Sequence, residues 1–168
     1  PECLIYSDHV PLGDPYRVIA VDLALTVGRG DYTVFVVGQL DEDRRLHIVD
    51  VVRQRCGPEE SVDLLFDLFS QYEPMDVLID DDNASKVFRT AVHERARHLT
   101  RPVALHAVPM RGKDKEVRAA AIRAMFLRGD VRLLRAPWNA ALVRELLEFG
   151  PHCDHDDQID ALGLIGRR

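Results

Sequence analysis

Three apolar runs rich in β-branched residues follow one another in the first third of the chain, and they constrain its fold more than any other feature. They occupy Arg17–Asp22, Tyr32–Gly38 and Leu46–Val52. Such short runs are typical of strands that are buried on one or both faces. The polar residues 41–45 favour a hairpin turn between the last two runs. We therefore predict an antiparallel meander of three strands.

The apolar spacing becomes helical after this meander. Pro58 and the acids that follow it are typical of a helix start. The remaining chain alternates between helical and extended patterns. The predicted strands are Met75–Ile79, Pro102–Val108 and Val131–Leu134, and the predicted helices begin near Pro58, Ala84, Lys115, Asn139 and Asp156. This order predicts an α/β fold, in which a mixed sheet of three antiparallel strands and then parallel strands carries helices on its faces.

The length of 168 residues suits one globular domain. Prolines and a glycine mark residues 1–16 as an irregular lead-in or the remnant of a linker, which leaves residues 17–168 as the domain. The abrupt start at Pro1 suggests a piece excised from a longer protein. No apolar run approaches the roughly 20 residues that span a bilayer, so we expect an intracellular protein without a membrane partner.

The net charge of −6 hides a strong asymmetry along the chain. Residues 86–135 contain 13 basic and 4 acidic residues, whereas the rest of the chain contains 9 basic and 24 acidic residues. A net negative charge usually argues against nucleic acid as a partner. The basic segment keeps a phosphate backbone open as a partner.

Carboxylates follow two of the apolar runs directly. Asp22 ends the first run, and Asp80, Asp81 and Asp82 follow the fourth. An acid against a buried run is costly unless it is paired or binds a cation, although a solvent-facing strand end or a helix cap would also explain such acids. Three adjacent carboxylates repel one another, and a divalent cation would relieve that repulsion.

A third acidic group begins the last predicted helix. Asp156, Asp157 and Asp160 follow His155, and their three- and four-residue spacings put like charges on one helical face. Capping accounts for one of these acids but not for all three. Oxygen ligands in this number suit Mg²⁺ or Mn²⁺. Two such ions roughly 3.5–4 Å apart can activate water against a phosphodiester.

These residues resemble a known family. The strand that ends in Asp22, the element order, the segment Ile79–Ser85 and the segment His155–Ala161 are similar to the C-terminal nuclease domain of phage terminase large subunits. The resemblance covers roughly residues 17–165 and implies an RNase H-like fold, two bound Mg²⁺ or Mn²⁺ ions and endonucleolytic cleavage of double-stranded phage DNA. It also implies an ATPase motor domain in the full-length protein, portal and small terminase subunit partners, and the cytoplasm of an infected bacterium.

The resemblance also implies which acids hold the metals. Asp22 matches the first acid and would bridge both ions. The second acid falls on Asp81, although Lys86 stands where the family often has Gly, which leaves Asp80 as an alternative. The third acid falls on the pair Asp156 and Asp157, of which Asp157 is favoured. Weaker candidates for the metal site are Asp31, Asp160 and His155.

The basic segment supplies the predicted DNA contacts. Arg111, Lys113, Lys115 and Arg118 cluster at the opening of one predicted helix and would neutralise phosphates beside the acids. A solvated helix face is the ordinary alternative for such charges.

Two other functions remain open on the sequence alone. One is a Holliday-junction resolvase or RNase H-type nuclease, because these enzymes share the fold that the resemblance implies. The other is a non-catalytic module that docks on DNA or on the portal. No Gly-x-x-x-x-Gly-Lys-Ser/Thr phosphate-binding loop is present, so an ATPase is not predicted for this chain.

Overall fold

The computed structural model describes residues 3–12, 15–24, 32–97, 102–110, 115–150 and 156–167. The elements in chain order are β1 Ile5–Ser7, β2 Tyr16–Asp22, β3 Thr33–Leu40, β4 Leu46–Gln54, α1 Pro58–Tyr72, β5 Asp76–Asp80, α2 Asn83–Ala96, β6 Leu105–Val108, α3 Lys115–Arg128, β7 Val131–Leu134, α4 Asn139–Glu148 and α5 Asp157–Ile165.

The described strands form one sheet of seven in the order β1-β7-β4-β3-β2-β5-β6. Strand β3 runs antiparallel to β2 and β4, and each of the other neighbouring pairs is parallel. The mixed sheet, with a three-stranded meander followed by parallel strands, is thus confirmed. Because β2, β4 and β5 run the same way, their carboxyl ends meet at one edge of the sheet.

Helices cover both faces of this sheet, as the sequence predicts. Alternate residues of a strand point to opposite faces. In β2, Ile19 and Val21 pack into the cluster that contains residues of α1 and α2. Val18 and Ala20 pack into the cluster that contains residues of α3, α4 and α5. The second face, here called the α5 face, is the one that carries the candidate site.

The predicted irregular lead-in is wrong for residues 5–7. These residues form β1, which pairs in parallel with β7 at the edge of the sheet. A three-residue edge strand leaves too short an apolar pattern to be recognised among prolines and polar residues. Within the described residues, no helix combines the length and the apolar character that a membrane span requires.

Helices α5 and α3 lie close together at two glycines, one within α5 and one at its C-terminal cap. A Cβ atom added at Gly163 would lie 2.9 Å from the carbonyl oxygen of Arg118, and one added at Gly166 would lie 2.8 Å from the backbone nitrogen of Ile122. These contacts are with backbone, so a neighbouring side chain cannot relieve them by turning away. The absence of a side chain at both positions therefore sets how closely α5 can lie against α3.

We expect Gly163→Ala to lower the free energy of unfolding by about 1–3 kcal/mol, the usual cost of overpacking. The added methyl group would push α5 away from α3 at the turn that follows the acidic residues. Thermal unfolding followed by circular dichroism measures the effect. Gly150→Ala is the matched control, because the nearest atom to its added Cβ lies 4.0 Å away. Equal melting temperatures for the two variants would contradict this account of the packing.

Candidate active site

Asp22 is the last residue of β2, at the sheet edge where the parallel strands end. It pairs with Val34 of β3 and follows Val21, which points to the α1 and α2 face. By alternation, the Asp22 side chain belongs to the α5 face. Helix α5 contacts β2 and β3, and charges at its start act on this carboxylate.

The first turn of α5 brings three further carboxylates to the same place. Asp156 is the residue before the helix, and Asp157 and Asp160 lie in its first turn. One carboxylate oxygen of Asp157 (Oδ2) accepts a hydrogen bond from the backbone nitrogen of Tyr32 at 3.4 Å. This contact fixes the start of α5 against the residue that precedes β3.

Arg118 of α3 provides the cation closest to these acids among the described ion pairs. Its guanidinium contacts the Asp160 carboxylate and lies 3.6 Å from Oδ2 of Asp156. The side chain of Arg118 is only 21% exposed, so its guanidinium faces the acidic group rather than the solvent. Arg118 as a DNA contact remains a prediction, and its guanidinium is already engaged by two carboxylates.

Burial and the neighbouring acids together raise the pKa of Asp22. Burial raises the pKa of Asp22 well above the ordinary aspartate value of 3.8, and the nearby charges of Asp160, Asp157 and, to a smaller extent, Asp156 raise it further. The positive charge of Arg118 lowers this pKa but does not offset the other causes. Clustered carboxylates repel one another unless a cation balances their charge. Acids with shifted pKa values are typical of functional sites.

Glu145 holds the start of α5 in place and is not among the site residues predicted from the sequence. The Glu145 side chain lies buried on α4 and accepts hydrogen bonds from the backbone nitrogens of Gln158 and Ile159, at 2.7 and 3.1 Å. Its other oxygen accepts a bond from the Gln158 side-chain nitrogen at 2.6 Å. Glu145 therefore caps the helix from outside, and Asp156, the residue at the cap position, makes no capping bond with its side chain.

We expect Glu145→Ala to destabilise the protein by about 2–4 kcal/mol, because it leaves two backbone donors and one side-chain donor buried without their acceptor. Glu145→Gln should cost less, since an amide oxygen can still accept from both backbone nitrogens. Melting temperatures measure both effects. Glu148→Ala, at the exposed end of the same helix, should change little. A Glu145→Ala variant as stable as the Glu148→Ala variant would contradict the capping role.

The acids after β5 differ from one another in position. Asp80 pairs with Val108 at the end of β5, and one of its oxygens accepts a bond from the backbone nitrogen of Met110 at 3.0 Å. Asp81 lies beyond the strand, is 47% exposed and has an oxygen 3.7 Å from Arg89. Asp82 caps α2 by accepting a bond from the backbone nitrogen of Ser85. Capping thus accounts for Asp82 alone.

The register of the sheet puts Asp80, rather than Asp81, at the position beside Asp22. Strands β2 and β5 are parallel neighbours, with Val21 beside Ile79, so Asp22 and Asp80 occupy the next matched positions. Leu78 points to the α5 face, and Asp80 shares its alternation. Neighbouring strands lie about 4.8 Å apart, which brings these two positions within reach of a shared ligand.

Several predicted site residues cannot be compared with the structure. Asp31, Arg111, Lys113 and His155 lie outside the described residues, as does the side chain of Lys115. Among the described residues, no three His, Cys, Asp or Glu side chains are already arranged to hold one metal ion. The donor set still suits a hard cation, because it consists of clustered carboxylates whose negative charges are only partly neutralised by Arg118.

Tyr32 and two arginines at the end of β4 also lie beside the acids, and they are not among the site residues predicted from the sequence. Their guanidinium groups stack on the Tyr32 ring, at 3.7 Å from its centroid for Arg53 and 4.4 Å for Arg55. Isolated arginines at a strand end carry no recognisable pattern. Glu145 does leave a signal, because it falls on the apolar face of its helix with Leu142.

The order and directions of the strands, with helices on both faces, define the class of the fold, which is RNase H-like. The family model of the terminase RNase H-like domain matches residues 19–165, and the chain belongs to this family. A search of curated proteins gave no significant match.

Solved structures support the same class of fold. The large terminase nuclease from thermophilic phage G20c is 18% identical, with a TM-score of 0.70, and the match covers 97% of this chain and 92% of that one. The yeast mitochondrial Holliday junction resolvase Ydc2 is 15% identical, with a TM-score of 0.58 over 96% and 79% of the two chains. The fowlpox virus Holliday junction resolvase is 14% identical, with a TM-score of 0.51 over 88% and 93%.

Proposed function

We propose that this chain is a metal-dependent endonuclease that cleaves double-stranded DNA during viral genome packaging, as the nuclease domain of a terminase large subunit. The observation that carries the proposal is the group formed by Asp22 and the acids of the first turn of α5, in a chain of the terminase RNase H-like family. Burial and these neighbouring carboxylates raise the pKa of Asp22, and bound Mg²⁺ or Mn²⁺ would relieve the repulsion between the acids.

Asp22 and Asp157 would hold the metal ions, with Asp156 and Asp160 nearby as further oxygen donors. Bound divalent cations would lower the pKa of a coordinated water and stabilise charge on the leaving oxygen of the phosphodiester. Metal binding would favour the ionised carboxylate of Asp22 and so oppose the burial and the neighbouring charges that raise its pKa.

For the second acid, the register favours Asp80 over Asp81. Asp80 shares the sheet face of Asp22, whereas Asp81 is half exposed and directed to Arg89. The bond from Met110 to one Asp80 oxygen would orient the carboxylate and leave its second oxygen for a metal. Asp81, which the family pattern favours, is retained as the competing assignment.

The surrounding residues would position these ligands. Glu145 and the Tyr32 backbone nitrogen hold the start of α5, and Arg118 partly neutralises Asp156 and Asp160. Arg118 would also limit the repulsion between the acids and an approaching phosphate. Arg111, Lys113 and Lys115 remain proposed contacts to the DNA backbone.

Membership of the terminase family is the basis for a wider proposal about partners and location. As part of a terminase large subunit, the domain would act with an ATPase motor domain, a portal and a small terminase subunit, in the cytoplasm of an infected bacterium. The match to the terminase RNase H-like family supports this assignment. A Holliday-junction resolvase is the second candidate, and it is favoured by the similarity of the fold to two resolvase structures.

A cleavage assay tests the proposal and separates the two candidates. The purified chain is incubated with supercoiled plasmid, a linear duplex and a synthetic four-way junction, in Mg²⁺, Mn²⁺ or EDTA. We expect nicking and linearisation of plasmid with Mn²⁺ or Mg²⁺ and none with EDTA. Preferential, symmetric cutting of the junction would instead identify a resolvase. The absence of cleavage, together with no change in melting temperature at millimolar Mn²⁺, would refute the nuclease proposal.

A further inference from the structure

The end of β4 presents two positive charges beside the acidic site, and they lie outside the basic segment 86–135. Arg53 is in register with Val34 of β3, and Val34 is in register with Asp22 of β2. The three positions therefore share the α5 face at neighbouring places along the sheet edge. Arg55 follows two residues later and is exposed to solvent.

Tyr32 joins the two arginines to the site. Its ring lies under both guanidinium groups, and its backbone nitrogen donates to Asp157. The centroid distances of 3.7 and 4.4 Å mean that the two guanidinium carbons cannot be more than about 8 Å apart. Stacking on an aromatic ring restrains a guanidinium, so little conformational freedom remains to be lost when it binds an anion.

No ion pair in the described residues neutralises Arg53 or Arg55, and Nε of Arg53 is buried without a hydrogen-bond partner. The charge of Arg53 does act on the buried Glu145 carboxylate at longer range, where it partly offsets the burial that raises the pKa of Glu145. Two other arginines in the described ranges also stack on aromatic rings. Both differ from the β4 pair, because Arg95 over Phe66 contacts Asp63 and Arg135 over Tyr6 lies 2.9 Å from Asp8.

We infer that Arg53 and Arg55, held by Tyr32, form a phosphate-binding clamp for the DNA strand that flanks the cleavage position. This inference rests on the proposed nuclease function and adds a substrate contact to it. Two guanidinium groups this close suit one phosphate or two adjacent phosphates of one strand, which rise about 3.4 Å per nucleotide. They would also offset the repulsion that a polyanion meets at the acidic group.

A flanking contact has a distinct kinetic signature. Since the clamp would hold the substrate equally in the ground state and in the transition state, its loss should raise KM and leave kcat nearly unchanged. A contact to the reacting phosphate would instead lower kcat. The clamp should read backbone rather than sequence, because guanidinium contacts to phosphate carry no base information.

The binding test uses a short fluorescein-labelled duplex and fluorescence anisotropy in EDTA, where no cleavage occurs. We expect Arg55→Ala to weaken binding about tenfold, as for loss of a charge-assisted hydrogen bond. The slope of log affinity against log salt should fall by about 0.9 for each phosphate contact removed. Arg53→Lys, which keeps the charge but loses the planar fork, should weaken binding less and leave most of the slope.

Arg95→Ala is the matched control. It also removes an arginine stacked on an aromatic ring, but this arginine is paired with Asp63 on the opposite face of the sheet. Its affinity and salt slope should equal those of the wild type. The clamp is refuted if Arg55→Ala and Arg53→Lys, both shown to be folded by circular dichroism, bind the duplex with wild-type affinity and salt slope.

The clamp and the nuclease proposal can fail separately. A wild-type chain that binds DNA through Arg55 but never cuts it would refute the nuclease while leaving the clamp. A chain that cuts plasmid with Mn²⁺, but whose Arg55→Ala variant has unchanged KM, would refute the clamp while leaving the nuclease.

Discussion

We expect Asp22→Asn to abolish metal-dependent cleavage and to make the protein more stable in EDTA. The loss of cleavage should be at least about 10³-fold, since metal ions contribute several kcal/mol of transition-state stabilisation and Asp22 is the acid around which the others gather. The stability gain should be on the order of 1 kcal/mol, because the amide removes an uncompensated carboxylate from an acidic group. Plasmid nicking and thermal melting measure the two effects.

The pH dependence of stability provides an independent test of Asp22. Its native pKa is raised, chiefly by burial and then by Asp160 and Asp157, so the folded state retains a proton that the unfolded state releases. The stability that Asp22 contributes is therefore full below the unfolded pKa of about 3.9 and is lost as pH rises through the native pKa. Asp22→Asn should flatten this part of the profile in EDTA.

Asp67→Asn is the control for both measurements, because Asp67 is exposed on α1, on the opposite face of the sheet. It should cleave plasmid and melt as the wild type does. If Asp22→Asn retained cleavage, or if it destabilised the metal-free protein, the assignment of Asp22 to a metal site would be wrong.

The mixed sheet could be predicted because its signals are local. Apolar runs around Val18, Val36 and Ile48 have the length and β-branched content of strands, and the helical stretch from Pro58 begins where its proline and acids predict. The pairing of β1 with β7 could not be predicted in this way. It joins residues more than 120 positions apart, and nothing within Ile5–Ser7 specifies its partner.

The candidate acids could be selected from the sequence for a related reason. Asp22 follows an apolar run, where an unpaired charge is costly, and Asp157 shares one helical face with Asp156 and Asp160, where like charges repel, so their positions required an explanation. Glu145 and Arg53 act only through contacts made by folding. Glu145 on α4 caps α5, and Arg53 at the end of β4 stacks on the ring of Tyr32, the residue before β3. Such contacts depend on the packing of α4 against α5 and on the register of β3 and β4.

The choice between Asp80 and Asp81 shows where sequence pattern and sheet geometry disagree. The family pattern favours Asp81. The register instead matches Asp80 with Asp22, and the alternation of β5 gives it the face of Leu78. One position along a strand reverses the face, so both residues cannot serve the same site from the strand end.

We therefore expect Asp80→Asn to lose cleavage by at least about 10²-fold, within the range for removal of one preorganised charged group, while Asp81→Asn cuts within a few-fold of the wild type. The two variants are matched controls for each other, since they differ by one position and remove the same charge. Mn²⁺ should raise the melting temperature less for Asp80→Asn than for Asp81→Asn, which separates loss of a ligand from loss of fold. The reverse pattern, in which Asp81→Asn is inactive and Asp80→Asn cleaves, would refute the assignment of Asp80 and establish Asp81, the residue that the family pattern favours.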